Sequence, residues 1–317
     1  MSTGPIVRID DITIAPGQRG HFQDLLRSRY IPAAQARGLT LVEIVLAPPV
    51  DAPDRESDVI IVWHLSDVDS FWNARRAAIM DPGVKAFWET TAGLVTRRTR
   101  RYGSTSAMSQ GIEDGPADAA SGSGAHHIVL LEVPADTELA VEAPPMVVRS
   151  WVGRHLPGSV GRVDASWEFD ATKPLGAHVL AVTGAHVADI VVLGDPLGSG
   201  VRARALRDGI KRTLLLRVDD AAPPEAVAAF ERDLLAMPRH IPAIRNWRLS
   251  RVDSSCAGWT HSWEQEYENL SGLANDYMRS PFHWGFVDGW FDAEDPRCIV
   301  APELLHLFYE VSSSTLA

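Results

Sequence analysis

A tyrosine and a histidine close to the carboxyl terminus are the side chains of this sequence best suited to acid–base chemistry. Ser280 followed by Pro281 is typical of a helix start, which places His283 in the first turn. The positive end of a helix disfavours the imidazolium, and a general base needs the neutral imidazole near pH 7. Tyr277 precedes this start and can donate a hydrogen bond to a carbonyl as enolate charge develops. The spacing predicts a catalytic pair, with His283 as base and Tyr277 as donor; alternatively, both residues only pack and cap.

A second group of polar and aromatic side chains is predicted to bind the substrate. Arg212 lies on a predicted strand and can bind a carboxylate or stabilise an oxyanion, unless it marks an exposed strand end. His261 shares one face of its strand with Trp263, so it either orients a ligand or belongs to the core. Trp263, Trp284 and Phe286 are predicted to wall a cavity for a flat apolar ligand, the alternative being ordinary core.

The hydrophobic pattern predicts two copies of a β-α-β-β-α-β unit, the ferredoxin-like arrangement. In the first copy we expect four strands and two helical regions: strands 6–14, 39–46, 58–65 and 95–102, and helices 20–37 and 68–94 with a break at Asp81-Pro82. In the second copy the same order gives strands 212–218, 244–252, 260–267 and 304–311, and helices 224–236 and 270–277, with a further helical run after Ser280.

The middle of the chain is less regular. Residues 104–125 are rich in Gly, Ser, Ala and Asp, which is typical of a linker. Residues 126–205 are predicted to be a degenerate ferredoxin-like unit or an extension, with strands at 127–133, 160–169 and 179–182 and a short helix at 147–155. The predicted domains are therefore residues 1–103, the linker, residues 126–205, and a barrel unit at 206–317.

The fold class expected is α+β, with tandem ferredoxin-like units that form dimeric α+β barrels. Such units bury the open face of their sheet against another copy. An odd number of copies leaves one face for a second chain, so a homodimer is expected.

Composition restricts the function. The net charge of −11 argues against binding to nucleic acid. Two cysteines without CxxC spacing fit a reducing compartment, and the amino terminus has no signal-peptide pattern, which together predict a cytoplasmic protein. No apolar run approaches the roughly 20 residues that span a bilayer. Without an HExxH motif or a clustered carboxylate set, we expect no metal and no cofactor.

Three segments carry a resemblance to a known family. They are IPAIRNW at 241–247, WTHSWEQEYEN at 259–269 and DYMRSPFHWGFVD at 276–288, the last with a Tyr and Pro-x-His pattern at Tyr277, Pro281 and His283. Through them residues 211–311 resemble the stress-responsive dimeric A/B barrel (Dabb) domain. Residues 5–103 more loosely resemble NIPSNAP-like dimeric α+β barrel domains, through RYIPAAQARGLTLV and FWNARRAAIMDPGVKAFW.

The resemblance extends to plant polyketide cyclases such as olivetolic acid cyclase. It implies that Tyr277 and His283 are catalytic, that His261 lines the pocket, and that Arg212 replaces a further pocket histidine. The function expected is a cofactor-independent lyase, cyclase or isomerase that abstracts a proton from a small apolar, aromatic or polyketide-like carbonyl compound. The alternatives are a non-catalytic small-ligand-binding or stress-response protein, and a cofactor-free or haem-dependent oxygenase of the same barrel superfamily.

Overall fold

Residues 4–105, 112–113, 117–118, 125–175 and 181–317 are described by the computed structural model of the chain. The chain divides into two units. Unit 1 contains Met1–Gln110 and His283–Cys298, and unit 2 contains Gly111–Phe282 and Ile299–Ala317. Unit 1 is therefore discontinuous in sequence, since sixteen residues near the carboxyl terminus belong to it. No helix in the described ranges is long and apolar enough to span a membrane.

Unit 1 contains a four-stranded antiparallel sheet in the order β2-β3-β1-β4. Its strands are β1 (Ile6–Ile14), β2 (Thr40–Ala47), β3 (Ser57–Leu65) and β4 (Val95–Ser104). Its helices are α1 (Arg19–Leu25), a π-helix (Leu26–Tyr30), α2 (Ile31–Ala36), α3 (Val68–Met80) and α4 (Pro82–Thr91). This order confirms the predicted β-α-β-β-α-β unit.

Local signals in the sequence set the helix boundaries of unit 1. The Asp67 carboxylate accepts a hydrogen bond from the Ser70 amide and caps α3. Asp81 then accepts from the Gly83 amide, and Pro82 occupies the first turn of α4, so the chain breaks between the two helices at the predicted place. Alternate residues of β1 and β3, among them Ile61, face a core that the helices cover.

Unit 2 contains an eight-stranded sheet in the order β14-β11-β13-β12-β10-β5-β8-β7. Its strands are β5 (Ala125–Glu132), β7 (Val147–Arg154), β8 (Ala165–Ala171), β10 (His186–Val201), β11 (Gly209–Leu216), β12 (Asn246–Ser254), β13 (His261–Tyr267) and β14 (Leu305–Val311). A separate ribbon pairs β6 (Ala140–Glu142) with β9 (Ala181–Thr183). Helix α5 (Pro224–His240) and a π-helix (Gly272–Tyr277) follow β11 and β13.

Each half of the large sheet repeats the strand order of unit 1. The carboxyl-terminal half runs β14-β11-β13-β12, and the other half runs β10-β5-β8-β7. When the four strands of each half are numbered along the chain, both halves have the order 4-1-3-2, which is the order of unit 1 read from the opposite edge. The halves join where β10 pairs with β12. At the far edges the Leu156 amide donates to the Phe308 carbonyl at 2.9 Å, and Val160 bridges His306. The sheet thereby closes into an α+β barrel, which confirms the expected fold class.

Two expectations for the middle of the chain were wrong. Residues 147–155 do not form a helix, because Val147–Arg154 is strand β7, whose side chains alternate in burial and whose backbone pairs with β8. The strand expected at 160–169 begins only at Ala165, since residues 155–164 form the connection that reaches β14. The strand expected at 179–182 lies partly outside the described residues and is seen from Ala181. Helix α5 continues past the predicted end, through Pro238 to His240.

Candidate functional site

A buried polar cluster occupies one face of strands β11 and β13. Arg212 and Gln265 are direct cross-strand neighbours, and the guanidinium donates to the Gln265 side-chain oxygen. The Tyr267 hydroxyl donates to the same oxygen at 2.9 Å. The Arg212 guanidinium carbon lies 4.8 Å from the ring centroid of Tyr277, and its Nε atom donates to Nε2 of His306. Two of the predicted site residues, Arg212 and Tyr277, are thus in contact.

His261 lies on the same face of β13, at its other end. Its Nε2 atom is 3.1 Å from a carboxylate oxygen of Glu231 on α5, and its Nδ1 atom is 2.9 Å from the Thr260 hydroxyl. The Phe230 ring packs edge-on against the imidazole. Burial lowers the pKa of His261 below 6.5, and the neighbouring Glu231 only partly offsets this effect. The site therefore holds a neutral imidazole with one ring nitrogen fixed by a carboxylate.

The aromatic residues predicted to wall a cavity are divided between the two units. Trp263 lies in β13 of unit 2 and is fully buried. Trp284 belongs to unit 1, where it is buried 5.9 Å from the Phe71 ring centroid. Phe286 is 57% exposed, so it contributes little to any buried wall. His283 also belongs to unit 1, and its ring lies 5.1 Å from that of Trp72.

A second buried cluster, in unit 1, was not foreseen from the sequence. Arg8 and Arg100 both bind Asp10, at 2.8 and 2.7 Å, in the sheet. Glu294, from the carboxyl-terminal segment, reaches Arg8 at 3.3 Å and accepts from the Tyr30 hydroxyl at 2.8 Å. Although burial by itself raises the pKa of Glu294, the arginines around it lower that pKa to about 2. Four ionised groups and a phenol thus fill the space between sheet and helices.

The same segment makes further ion pairs in unit 1. Arg75 binds Asp288 at 2.9 Å and Asp292 at 3.4 Å. Burial raises the pKa of Asp288 to about 6 despite Arg75, and the Asp292 charge adds to the rise. A small cavity of about 20 Å³ adjoins these groups and is lined by polar and apolar side chains: Arg8, Leu39, Leu65, Phe71, Ala74, Arg75, Tyr102, Asp292 and Glu294.

A third cluster lies on the other face of the unit 2 sheet. Glu264 points to that face, because side chains alternate along β13 and His261, Trp263 and Gln265 point to the first face. Glu264 accepts from Arg248 through both oxygens, at 2.7 and 2.9 Å, and from Lys211 at 2.6 Å. Lys211 also lies 3.2 Å from Glu168, and all of these side chains are buried. Burial would lower the pKa of Lys211, but Glu168 and Glu264 raise it overall, so the ammonium stays charged.

His126 adds an imidazole to this third cluster. Its Nδ1 atom is 2.7 Å from Asp170, whereas its Nε2 atom lies 3.9 Å from Glu168 and 3.6 Å from Glu264. His127, the next residue, faces the other side of β5, where it stacks on Phe169. The two rings diverge, as expected for neighbours on a strand.

Sequence signals for these clusters are weak because their members lie on separate strands. His126, Glu168 and Glu264 come from β5, β8 and β13, so no short motif joins them. The available signal was the alternation of side chains along two strands: in SWEFD and HSWEQEY, acidic residues occupy every second position, mostly between aromatic residues. That pattern is typical of a strand with one polar face, yet both faces are buried here.

Unit 2 is an α+β barrel built from two ferredoxin-like sets of four strands. Residues 210–300 match the model of the family described as Stress responsive A/B Barrel Domain (Dabb). The match supports the resemblance inferred from the segments around residues 241–288.

Solved structures with a similar fold include several small proteins. A NIPSNAP family protein of unknown function from Agrobacterium tumefaciens is 14% identical, covering 33% of this chain and 92% of its own, with a TM-score of 0.28. A hydroxynitrile lyase from Passiflora edulis is 16% identical, covering 34% and 97%, also with a TM-score of 0.28. A NIPSNAP domain protein from Burkholderia xenovorans is 13% identical, covering 33% and 97%, with the same TM-score. No curated protein matches the chain.

Proposed function

We propose that the protein is a cytoplasmic, cofactor-independent lyase, cyclase or isomerase that starts its reaction by abstracting a proton next to the carbonyl of a small apolar, aromatic or polyketide-like compound. The observation that carries the proposal is a buried, neutral His261 bound to Glu231, on the same sheet face as Arg212 and Tyr277. A buried neutral base is what proton abstraction next to a carbonyl requires.

The hydrogen bonds define a role for each group. With Nε2–H donating to Glu231, the Nδ1 lone pair of His261 accepts the substrate proton, and Glu231 stabilises the imidazolium that forms. Arg212 lies opposite Gln265, four residues or roughly 13 Å along β13 from His261, so the guanidinium and Tyr277 are proposed to bind a second polar group of an extended substrate, such as a further carbonyl or a carboxylate. Trp263 remains a proposed contact for the apolar part of the substrate, whereas Trp284 and Phe286 belong to unit 1 and have no role in this site. The resemblance to polyketide cyclases instead makes His283 the base, and the test below separates the two histidines.

A non-catalytic ligand-binding protein is the second candidate, and one observation favours it. The polar groups of the site already satisfy one another: Arg212 is bound to Gln265 and His306, and His261 to Glu231 and Thr260. A substrate would have to displace some of these bonds, whereas an apolar ligand that only binds would not.

Matched histidine variants test the proposal. Wild type, His261→Gln and His283→Gln are screened by thermal shift against phenolic, polyketide-like and aryl-carbonyl compounds, and each stabilising compound is followed by chromatography for turnover. We expect His261→Gln to bind but to lose about 100-fold or more in turnover, the usual range for a general base. If only His283→Gln loses turnover, the base is His283 and the role given to His261 is wrong. If a bound compound is not consumed by wild type, the protein binds without catalysis.

We also propose that the chain forms a homodimer through the sheet of unit 1. The residues of β1 and β3 that alternate with the buried ones, among them Val7, Ile9, Ile60 and Val62, are only half buried. The Val62→Glu variant should dissociate the dimer in sedimentation velocity, whereas Glu303→Gln, an exposed change in unit 2, should leave it intact. A wild type that sediments as a monomer at micromolar concentration would refute this.

A further inference from the structure

The interior of the unit 2 barrel contains a set of donor atoms that no part of the proposed reaction uses. His126 Nε2, one oxygen of Glu168 and one oxygen of Glu264 lie within 4.8 Å of one another, and all three residues are buried. They face away from His261, because Glu264 points to the opposite side of β13 from residues 261, 263 and 265. We propose that these three groups bind one divalent transition-metal cation such as Zn²⁺, Co²⁺, Fe²⁺ or Mn²⁺.

The orientation of His126 is the first argument. A metal-binding histidine commonly donates its other ring N–H to a carboxylate, which fixes the tautomer and directs the free lone pair at the ion. Here Nδ1 is 2.7 Å from Asp170, which also binds Arg149 at 2.6 Å. The His126 residue is 94% buried, and its Nε2 atom has no hydrogen-bond partner in the described part of the chain. The Nε2 atom faces the two glutamates, at 3.9 and 3.6 Å.

Net charge gives the second argument. Oε2 of Glu168 is buried and faces His126, and it pairs with the Lys211 ammonium at 3.2 Å. The carboxylates of the cluster are Glu168, Asp170, Glu264 and Glu266, and its fixed cations are Arg149, Lys211 and Arg248. Four negative charges against three positive charges leave room for a further cation next to His126.

Geometry permits the ion beside Lys211. Donor atoms that share one ion at about 2.1 Å lie about 3.0–3.4 Å apart. The two separations from His126 are 3.6 and 3.9 Å and the whole set lies within 4.8 Å, so the two glutamates must draw together when the ion binds. Lys211 approaches the same two carboxylates, at 2.6 and 3.2 Å, and holds them ionised and close together. One imidazole and two carboxylates suit borderline and hard divalent ions better than soft Cu⁺.

The proposed ion would join the two halves of the barrel. His126 and Glu168 come from the half built by β5, β7, β8 and β10, and Glu264 comes from the half built by β11 to β14. Three protein ligands leave at least one coordination position for water or a small anion. The site is independent of the proton-abstraction site, so either proposal can fail alone.

The test uses the full-length protein, freed of any affinity tag and dialysed against a chelator, titrated with CoCl₂. We expect one equivalent to bind with a visible d–d band, and Zn²⁺ to displace it. His126→Ala and Glu168→Gln should weaken Co²⁺ binding by about 100-fold or more, and Asp170→Asn by about 10–100-fold, because Asp170 only positions the imidazole. His127→Ala is the matched control and should bind like wild type, since its ring faces the other side of β5.

Three results would overturn the proposal. One is the absence of a saturable Co²⁺ band in wild type up to about 1 mM. Another is a loss of Co²⁺ binding in His127→Ala as large as that in His126→Ala, with an unchanged circular dichroism spectrum. The third is unaltered binding in Glu168→Gln. Should His126→Ala fail to fold, the near-isosteric Glu168→Gln carries the test alone, because it removes a ligand charge without creating a cavity.

Discussion

Replacing Glu294 by Gln should destabilise unit 1 in a pH-dependent manner. The carboxylate is 96% buried and lies beside Arg8, Arg37 and Arg100. Folding lowers its pKa from 4.5 to about 2, because the three guanidinium groups outweigh the cost of burial. At 1.36 kcal/mol per pH unit, this stabilises the folded state by about 3 kcal/mol at pH 7. Gln keeps the shape of the side chain but removes the charge, so the arginines lose part of their compensation.

The sign of the pH effect follows from the direction of the pKa change. Because folding lowers the pKa of this carboxyl, its ionised form stabilises the folded state fully above pH 4.5, and this stabilisation is lost as the pH falls toward 2. At pH 3 the contribution falls to about 1 kcal/mol, so wild type and Glu294→Gln should approach each other in stability.

Urea unfolding followed by tryptophan fluorescence measures this effect, since Trp63 and Trp284 are buried in unit 1. With a slope of about 1–3 kcal/mol per molar urea, the midpoint should fall by about 1–3 M at pH 7. The exposed Glu303→Gln is the control and should not shift the midpoint. A shift for Glu294→Gln below about 0.3 M at pH 7, or one of equal size at pH 3, would refute the reasoning.

Three further outcomes are expected. Because burial raises the pKa of Asp288 from 3.8 to about 6, the native state binds its proton more tightly, so unit 1 should lose about 2 kcal/mol of stability as the pH rises from 4 to 6; the pH dependence of stability should show no such slope in Asp288→Asn. In Gly153→Ala the new Cβ atom would lie 2.1 Å from the Tyr309 ring, so urea unfolding should show a loss of about 1–3 kcal/mol, whereas Gly103→Ala, with no atom within 4 Å, should show little change. Trp284→Ala should cost about 3–5 kcal/mol in the same assay, and a loss below about 1 kcal/mol would contradict its place in the core.

The elements of both ferredoxin-like copies could be predicted because their signals are local. Alternating apolar residues, the Asp81-Pro82 break and the Ser280-Pro281 helix start each act within a few residues. The helix expected at 147–155 failed for the opposite reason: VVRSWVGR reads as a strand only beside its partner β8, which is distant in sequence.

The candidate site was predicted only in part, for a similar reason. The family resemblance places both Arg212 and Tyr277 in the pocket, and the structure brings them into contact. Glu231 was not predicted as the partner of His261, because an acidic residue on an amphipathic helix ordinarily faces solvent. The segment His283–Cys298 reads as a continuation of the last copy, and nothing local indicates that its acids pair with arginines of the first unit.

The discontinuity of unit 1 has a consequence for the order of events during synthesis. Arg8, Arg37, Arg75 and Arg100 leave the ribosome long before Asp288 and Glu294, which lie far downstream in the sequence. At roughly 5–20 residues per second, the interval across the intervening stretch of about 180 residues is roughly 10–40 s. Throughout that time the four arginines lack Asp288 and Glu294 as partners, so unit 1 can reach its final stability only after residues 283–298 have been synthesised.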